Sequence, residues 1–248
     1  MSASSPGFVH LRLHSEYSIT DGLTRIDEAI AQAAADGQPA LALTDLANLF
    51  GMVKFYTVAR GAGVKPIVGC DVWVGDEDGS GADLPARLLL LVKNRAGYLR
   101  LCELLSAAYL APRRHGRAEI TRSQLATGDN SGLIALSGGP LGDIGQMLAA
   151  GTVDQAEVRA QVWAGIFPGS YYVEVQRPSG DKDVAATEVL VAASADLAAR
   201  LGLPLVATHP VQFIARDDFK AHEARVCIAE GYVLGDKRRP QGFSAGQF

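Results

Sequence analysis

One stretch constrains this chain more than any other: Phe8 to Gly22, FVHLRLHSEYSITDG. It opens with strict alternation. Phe8, His10, Arg12 and His14 fall on one side of an extended segment and Val9, Leu11 and Leu13 on the other, because successive side chains of a strand point to opposite faces. The aliphatic side suits packing under a layer of helices. The other side gathers two imidazoles and a guanidinium near the strand's C-terminal end, with Asp21 shortly beyond. A strand ending in such groups commonly delivers them to a site; a solvated edge strand with scattered histidines is the plainer alternative.

Beyond this stretch, helix-like and strand-like segments alternate. Leu23 to Ala35 reads as a helix with Leu23, Ile26, Ala29, Ile30 and Ala33 on one stripe. Ala40 to Thr44 is a short buried strand ending at Asp45, and Met52 to Ala62 a second helix. Strands are expected over Pro66 to Val74, Leu88 to Val92, Leu133 to Ser137, Tyr171 to Val175 and Leu203 to Thr208. Helices are expected over Gly97 to Leu110, Leu141 to Ala150, Asp154 to Ile166, Val184 to Leu201 and Asp217 to Glu230, the last capped by Asp217. Asp76 to Ala82 (DEDGSGA) and Pro112 to Arg117 (PRRHGR) read as loops, the second able to touch a phosphate backbone.

Seven short strands separated mostly by helices imply parallel crossovers. Apolar runs such as LLLLV suit strands covered on both faces. The expected fold class is α/β, a closed or nearly closed (β/α) barrel, with a doubly wound open sheet as runner-up. Glycine fingerprints for a dinucleotide or a P-loop are absent; GGPLGDIG (Gly138 to Gly145) lacks the Lys and Ser/Thr that hold phosphates. The net charge of −4 gives no overall pull towards nucleic acid. Three separated cysteines, Cys70, Cys102 and Cys227, support neither a zinc ribbon nor a disulfide framework. They read as reduced thiols of a cytoplasmic protein. Neither a secretion signal nor a membrane span is expected.

In a parallel barrel, function sits at the C-terminal ends of the strands. The groups expected there are His10, Arg12, His14 and Asp21, then Asp45 and Leu46, Asp71, Arg87, Gly138 and Gly139, Glu174 and Gln176, and His209, Pro210 and Gln212. This ring is polar but poor in the His, Asp, Glu and Cys that transition metals take.

Six segments in this order, HLRLHSEYSITDG, ALTDLANLFGMVKFY, AGVKPIVGCDVWV, KNRAGYLRL, GLIALSGGPLGDIG and LPLVATHPVQFI, resemble the PHP (polymerase and histidinol phosphatase) domain family. The Phe-Tyr pair after TDLANLFGMVK and the closing AHEARVCIAEG point to its branch in bacterial replicative DNA polymerases. The resemblance runs from about Phe8 to the end of the chain. It implies a distorted (β/α)7, TIM-barrel-like fold over residues 8–230, with residues 1–7 a disordered N-terminus and 231–248 the start of a linker towards a polymerase core. Metal-competent relatives hold a metal cluster and hydrolyse phosphoesters.

Carried over position by position, that metal site is degenerate here. The HxH motif falls on His10 and Arg12, and its Asp on Asp21. The His of the TDH motif falls on Leu46, the third-strand Glu on Asp71, and the next His on Arg87. The LSGC-type ligand falls on Gly139 and the final DxH on Pro210 and Gln212. His10, Asp21 and Asp71 keep a ligand-type side chain. A guanidinium stays protonated, offers no lone pair and repels a cation. Leu46, Gly139 and Pro210 offer no donor at all. Without metals there is no activated water and no Lewis acid.

No phosphoesterase activity and no cofactor are therefore expected. Arg12 and Arg87 are expected to pair with Asp21, Asp45 or Asp71 in the vacated site. His10 and Asp21 alternatively persist as hydrogen-bonding groups of a packed barrel mouth. His209 is a candidate replacement ligand, and His222 reads as structural. The expected role is a catalytically inactive scaffold that stabilises the polymerase and docks a proofreading exonuclease subunit, meeting DNA only through the full-length protein. The alternative is a metal-dependent 3′–5′ exonuclease or phosphoesterase with a reduced site.

Overall fold

The computed structural model describes residues 7–75, 85–111, 116–178, 184–238 and 245–246. The loop expected at 76–82, most of PRRHGR, residues 1–6 of the expected N-terminal tail and part of the expected linker lie outside the described residues. The chain divides into two compact units, residues 1–69 with 178–182 and 209–248, and residues 70–177 with 183–208.

In the first unit, α1 (Ile26–Ala35) packs Ile26, Ala29, Ile30 and Ala33 inward, the i, i+3, i+4, i+7 stripe of an amphipathic helix. Asp27 and Glu28 in its first turn suit the positive end of the helix dipole. The helix begins at Ile26 rather than Leu23 because the backbone before it is used otherwise: Leu23 N–H donates to Gln212 O, and Thr24 bridges Ser15. The strand β1 (Ala40–Leu43) is wholly buried and pairs in parallel with the first part of β2 (Lys65–Gly75), Ala40 opposite Lys65 and Leu43 opposite Val68. Between them runs α2 (Met52–Gly61), burying Phe55 and Ala59. Leu13, Ile26, Ile30, Leu41, Leu43, Phe55 and Val211 form the core of this unit. After a 3-10 turn at Arg216–Asp218 comes α8 (Phe219–Glu230).

The opening segment is extended but forms no regular strand. Ala42 N–H donates to His10 O, Thr44 N–H to Leu13 O and His14 N–H to Val211 O. Leu13 and Val211 make an isolated parallel bridge. The segment therefore lies between β1 with Thr44 on one side and Val211 on the other, held by two backbone hydrogen bonds on each side. Asp217 does not cap α8; the residue before the helix is Asp218, whose carboxylate accepts from Ala215 N–H at 3.1 Å instead.

The second unit holds the rest of β2 and the strands β3 (Ala86–Val92), β4 (Glu119–Thr121), β5 (Leu133–Leu136), β6 (Tyr171–Gln176) and β7 (Leu205–Thr208). Their order is β2-β3-β5-β6-β7, with β4 pairing with β2. Its helices are α3 (Arg95–Leu110), α4 (Arg122–Ala126), α5 (Asp143–Ala149), α6 (Val153–Ile166) and α7 (Val184–Leu201). Among the described residues there are thus seven strands, as expected, but β4 takes the place of the opening segment. β4 is three residues long and is followed at once by α4, whose Thr121 and Gln124 form a reciprocal capping box.

The expected parallel arrangement holds for β5–β6 and β6–β7. It fails for β3 and β5, which pair antiparallel, Leu89 opposite Leu136. Leu88 to Leu91 are all buried. A strand covered on both faces reads the same in either direction, so an apolar run carries no sign of its orientation. The helix side of the sheet is filled by Trp163, Phe167, Tyr171 and Val173, with Trp163 stacked on Tyr171 at 6.5 Å.

Candidate functional site: buried carboxylates and their donors

Asp21, Asp45, Asp71 and Glu174 are each 5% exposed or less. Buried carboxylates need hydrogen bonds or counter-charges. Each accepts hydrogen bonds from the chain.

In the first unit, the 3-10 turn Glu16–Ser18 sets two hydroxyls against Asp45. Ser15 N–H donates to Asp45 Oδ1 at 2.6 Å, its hydroxyl reaches both carboxylate oxygens at 2.9 Å, and the Ser18 hydroxyl adds a bond of 3.1 Å. Burial still pushes the Asp45 carboxyl above its usual range, against the downward pull of these donors and of His14. Asp21 Oδ1 takes the Nδ1–H of His14 at 3.0 Å, and Gln212 Nε2 approaches Oδ2 at 3.4 Å. His222 of α8, fully buried, donates through Nε2 to the Asp21 carbonyl at 2.8 Å. Burial holds the His222 imidazole below its usual range, more than the Asp21 contact raises it. His10 is half-buried, and its ring lies 6.3 Å from that of His209. Burial first, then the neighbouring His209, lowers its affinity for a proton. Arg12 is buried at 4% exposure. Leu46 is also buried, and its N–H donates to the Ser18 hydroxyl. Pro210 is half-buried.

In the second unit, Arg87 Nη1 meets Asp71 Oδ2 at 2.8 Å, with side-chain exposures of 8% and 1%. The Arg87 guanidinium lies 3.7 Å over the Trp73 ring, and Arg117 approaches the same indole at 5.3 Å. Glu174 accepts from the Thr208 hydroxyl at 2.5 Å, from Gln176 Nε2 at 3.0 Å and from Gly138 N–H at 3.0 Å. Gly139 has φ +56, and a side chain there would press on Gln176 at 3.0 Å. The position is therefore committed to glycine.

Of the residues singled out in the sequence, the structure brings together Arg87 with Asp71, Asp21 with His14 and Gln212, and Glu174 with Gln176. Asp45 is satisfied largely by serines. Ser15, Ser18 and Thr208 are the members that sequence reasoning missed. The two serines flank the Glu-Tyr of HSEYS, a helix-start signal that sequence alone links to a turn and not to a distant carboxylate.

Within each unit, the residues as placed do not fit a metal cluster. Asp21 and Asp71 spend a carboxylate oxygen on an imidazole and a guanidinium. Among the described residues, no group of three or more His, Cys, Asp or Glu is placed to hold a metal ion. What the arrangement does chemically is neutralise buried carboxylates from within the chain.

The class follows from sequence and fold together. Residues 10–178 match the PHP domain model, and the chain belongs to the PHP domain family. A solved amidohydrolase from Chromobacterium violaceum shares the fold, with a TM-score of 0.51 at 17% identity over 88% of this chain and 96% of that one. More particularly, the chain is 50% identical over 246 residues to the DNA polymerase III subunit alpha of Neisseria meningitidis serogroup B, covering 99% of this chain and 21% of that protein. The same subunit of Escherichia coli is 44% identical over 247 residues, 20% of its length. The chain thus spans about a fifth of the length of the curated relatives it matches. Among the described residues no helix is long and apolar enough to cross a membrane.

Proposed function

We propose that this chain is the PHP domain of a replicative DNA polymerase alpha subunit and acts there as a catalytically inactive scaffold. It stabilises the polymerase and docks the proofreading exonuclease subunit. It takes no metal or other cofactor, meets DNA only through the full-length protein, and works in the cytoplasm. The observation that carries this reading is the buried Arg87–Asp71 pair, a cation built into the chain at positions where the family resemblance places two metal ligands. A fixed guanidinium repels a divalent cation and cannot activate water. A polymerase whose own hydrolytic site is lost needs proofreading supplied in trans.

The test is elemental analysis of the purified protein after incubation with zinc and manganese, with hydrolysis of a chromogenic phosphoester and of single-stranded DNA. No stoichiometric metal, no turnover and a measurable complex with the exonuclease subunit are expected. Two or more retained metals, with turnover lost in Asp21→Ala, would establish the reduced-site exonuclease instead.

A further inference from the structure

One side of β7 and the N-terminal half of α7 each leave apolar side chains uncovered. In β7, Leu205 stands opposite Val173 in register. Leu205 and Ala207 therefore share the sheet side on which Tyr171 meets Trp163 of α6. That side is sealed over β6, where Val173 is 1% exposed. It is open over β7, where Leu205 is 45% exposed and Ala207 is exposed too. On α7, Val184 is 61% and Val189 70% exposed, and Ala185, Val189 and Ala192 lie on one stripe at i, i+4 and i+7. Residues 184–195, VAATEVLVAASA, contain one charge, Glu188, and it is clamped by Arg177. Helical surfaces facing water are normally polar.

We propose that the α7 stripe, with the open side of β7, is covered by the remainder of the same polypeptide, packed as a permanent intrachain interface; the inference rests on the reading of the chain as one domain of a longer polymerase. Two observations select this occupant. The curated relatives are about five times as long as this chain, so most of their mass lies outside it. The chemistry of the face is also that of a permanent contact. Obligate interfaces are apolar and depleted of charge, whereas transient partners are held by aromatic and arginine anchors inside a polar rim. The stripe has neither anchor, and its alanines let a partner helix approach closely.

The experiment uses the full-length protein and the 248-residue chain, each carrying Val189→Cys or, as a control, Val158→Cys on α6, which is 63% exposed. Maleimide labelling is read at each position by peptide mass spectrometry, and primer extension verifies that the full-length protein polymerises. Labelling at position 189 should be at least tenfold slower in the full-length protein than in the short chain, with position 158 unchanged. Val189→Glu should lower the melting temperature of the full-length protein and leave that of the short chain unchanged. Equal labelling of 189 in both would overturn the inference, as would protection that grows with protein concentration, the mark of a second copy. A full-length protein that does not extend primers would overturn the polymerase reading itself, whatever the labelling shows.

Discussion

Removing Arg87 should be among the costliest single changes in the second unit. Arg87→Met keeps the length of the side chain and withdraws the cation from Asp71, whose side chain stays 1% exposed. Withdrawing one partner of a buried ion pair costs about 3–5 kcal/mol. Loss of the guanidinium 3.7 Å over Trp73 adds about 1 kcal/mol. For a chain of this size, a loss of about 4 kcal/mol lowers the melting temperature by roughly 8–16 °C. The double variant Arg87→Met with Asp71→Leu removes both charges and should recover most of that loss, since apolar residues of similar volume replace buried pairs at little or no cost. Guanidinium chloride unfolding of the four proteins, followed by circular dichroism, closes the double-mutant cycle. A cost below about 1 kcal/mol for Arg87→Met is what a surface pair gives. That result, or a double variant no more stable than the worse single one, would refute the claim that a buried counter-charge holds this site together.

Three further outcomes follow from the first unit. Burial lowers the proton affinity of His222, so the unfolded chain binds a proton below pH 6.5 that the folded chain refuses. Stability should therefore fall as pH drops from 6.5 to the lowered folded value; His222→Gln should flatten that slope in urea titrations between pH 5 and 8, leaving a part due to His10, which shifts the same way. Asp45 shifts in the opposite sense for stability: its folded carboxyl holds a proton above the unfolded value of 3.8, so stability falls as pH rises through that window, and Asp45→Asn should abolish this dependence in thermal melts across pH 3.5 to 6. Ile19 is β-branched, 61% exposed and held at φ 55, its carbonyl clamped by Arg225 Nε at 2.8 Å. Ile19→Gly should stabilise the protein by about 1 kcal/mol in urea unfolding, and a loss of stability would mean that the backbone there is not strained.

Much of the architecture was legible in the sequence because long periodic segments announce themselves. Val184–Leu201 falls where its apolar content and the stop at Gly202 place it, and Tyr171–Gln176 extends its expected span by one residue. What escaped was information that sequence does not carry locally. The opening segment has ideal strand alternation, yet its neighbours are β1 on one side and residues near Val211 on the other, nearly two hundred positions away. The alternation predicts an extended backbone and says nothing about whether a ladder repeats. Along it Arg12 and His14 are buried while Val9 and Leu11 are half-covered, so alternation does not by itself say which side is better sealed. The direction of β3 was hidden by its uniform leucines, and β4 is too short to show a period.

On the proposed scaffold reading, each unit has kept its buried carboxylates after the ligands around them changed. A metal cluster both gathers carboxylates and neutralises them. Once ligands are replaced, every retained carboxylate is an uncompensated buried charge, at several kcal/mol each. Any substitution that supplies a local donor is then favoured, independently of the others. The donors include an imidazole for Asp21, serine hydroxyls and a backbone amide for Asp45, a guanidinium for Asp71, and a threonine hydroxyl, an amide side chain and a backbone N–H for Glu174. On the proposed reading, donors so unlike one another were acquired separately. On that reading, restoring one ligand, as in Arg87→His, should return no metal in elemental analysis. The other acids keep their partners, and Gly139 is held as glycine by its φ of +56 and the adjacent Gln176.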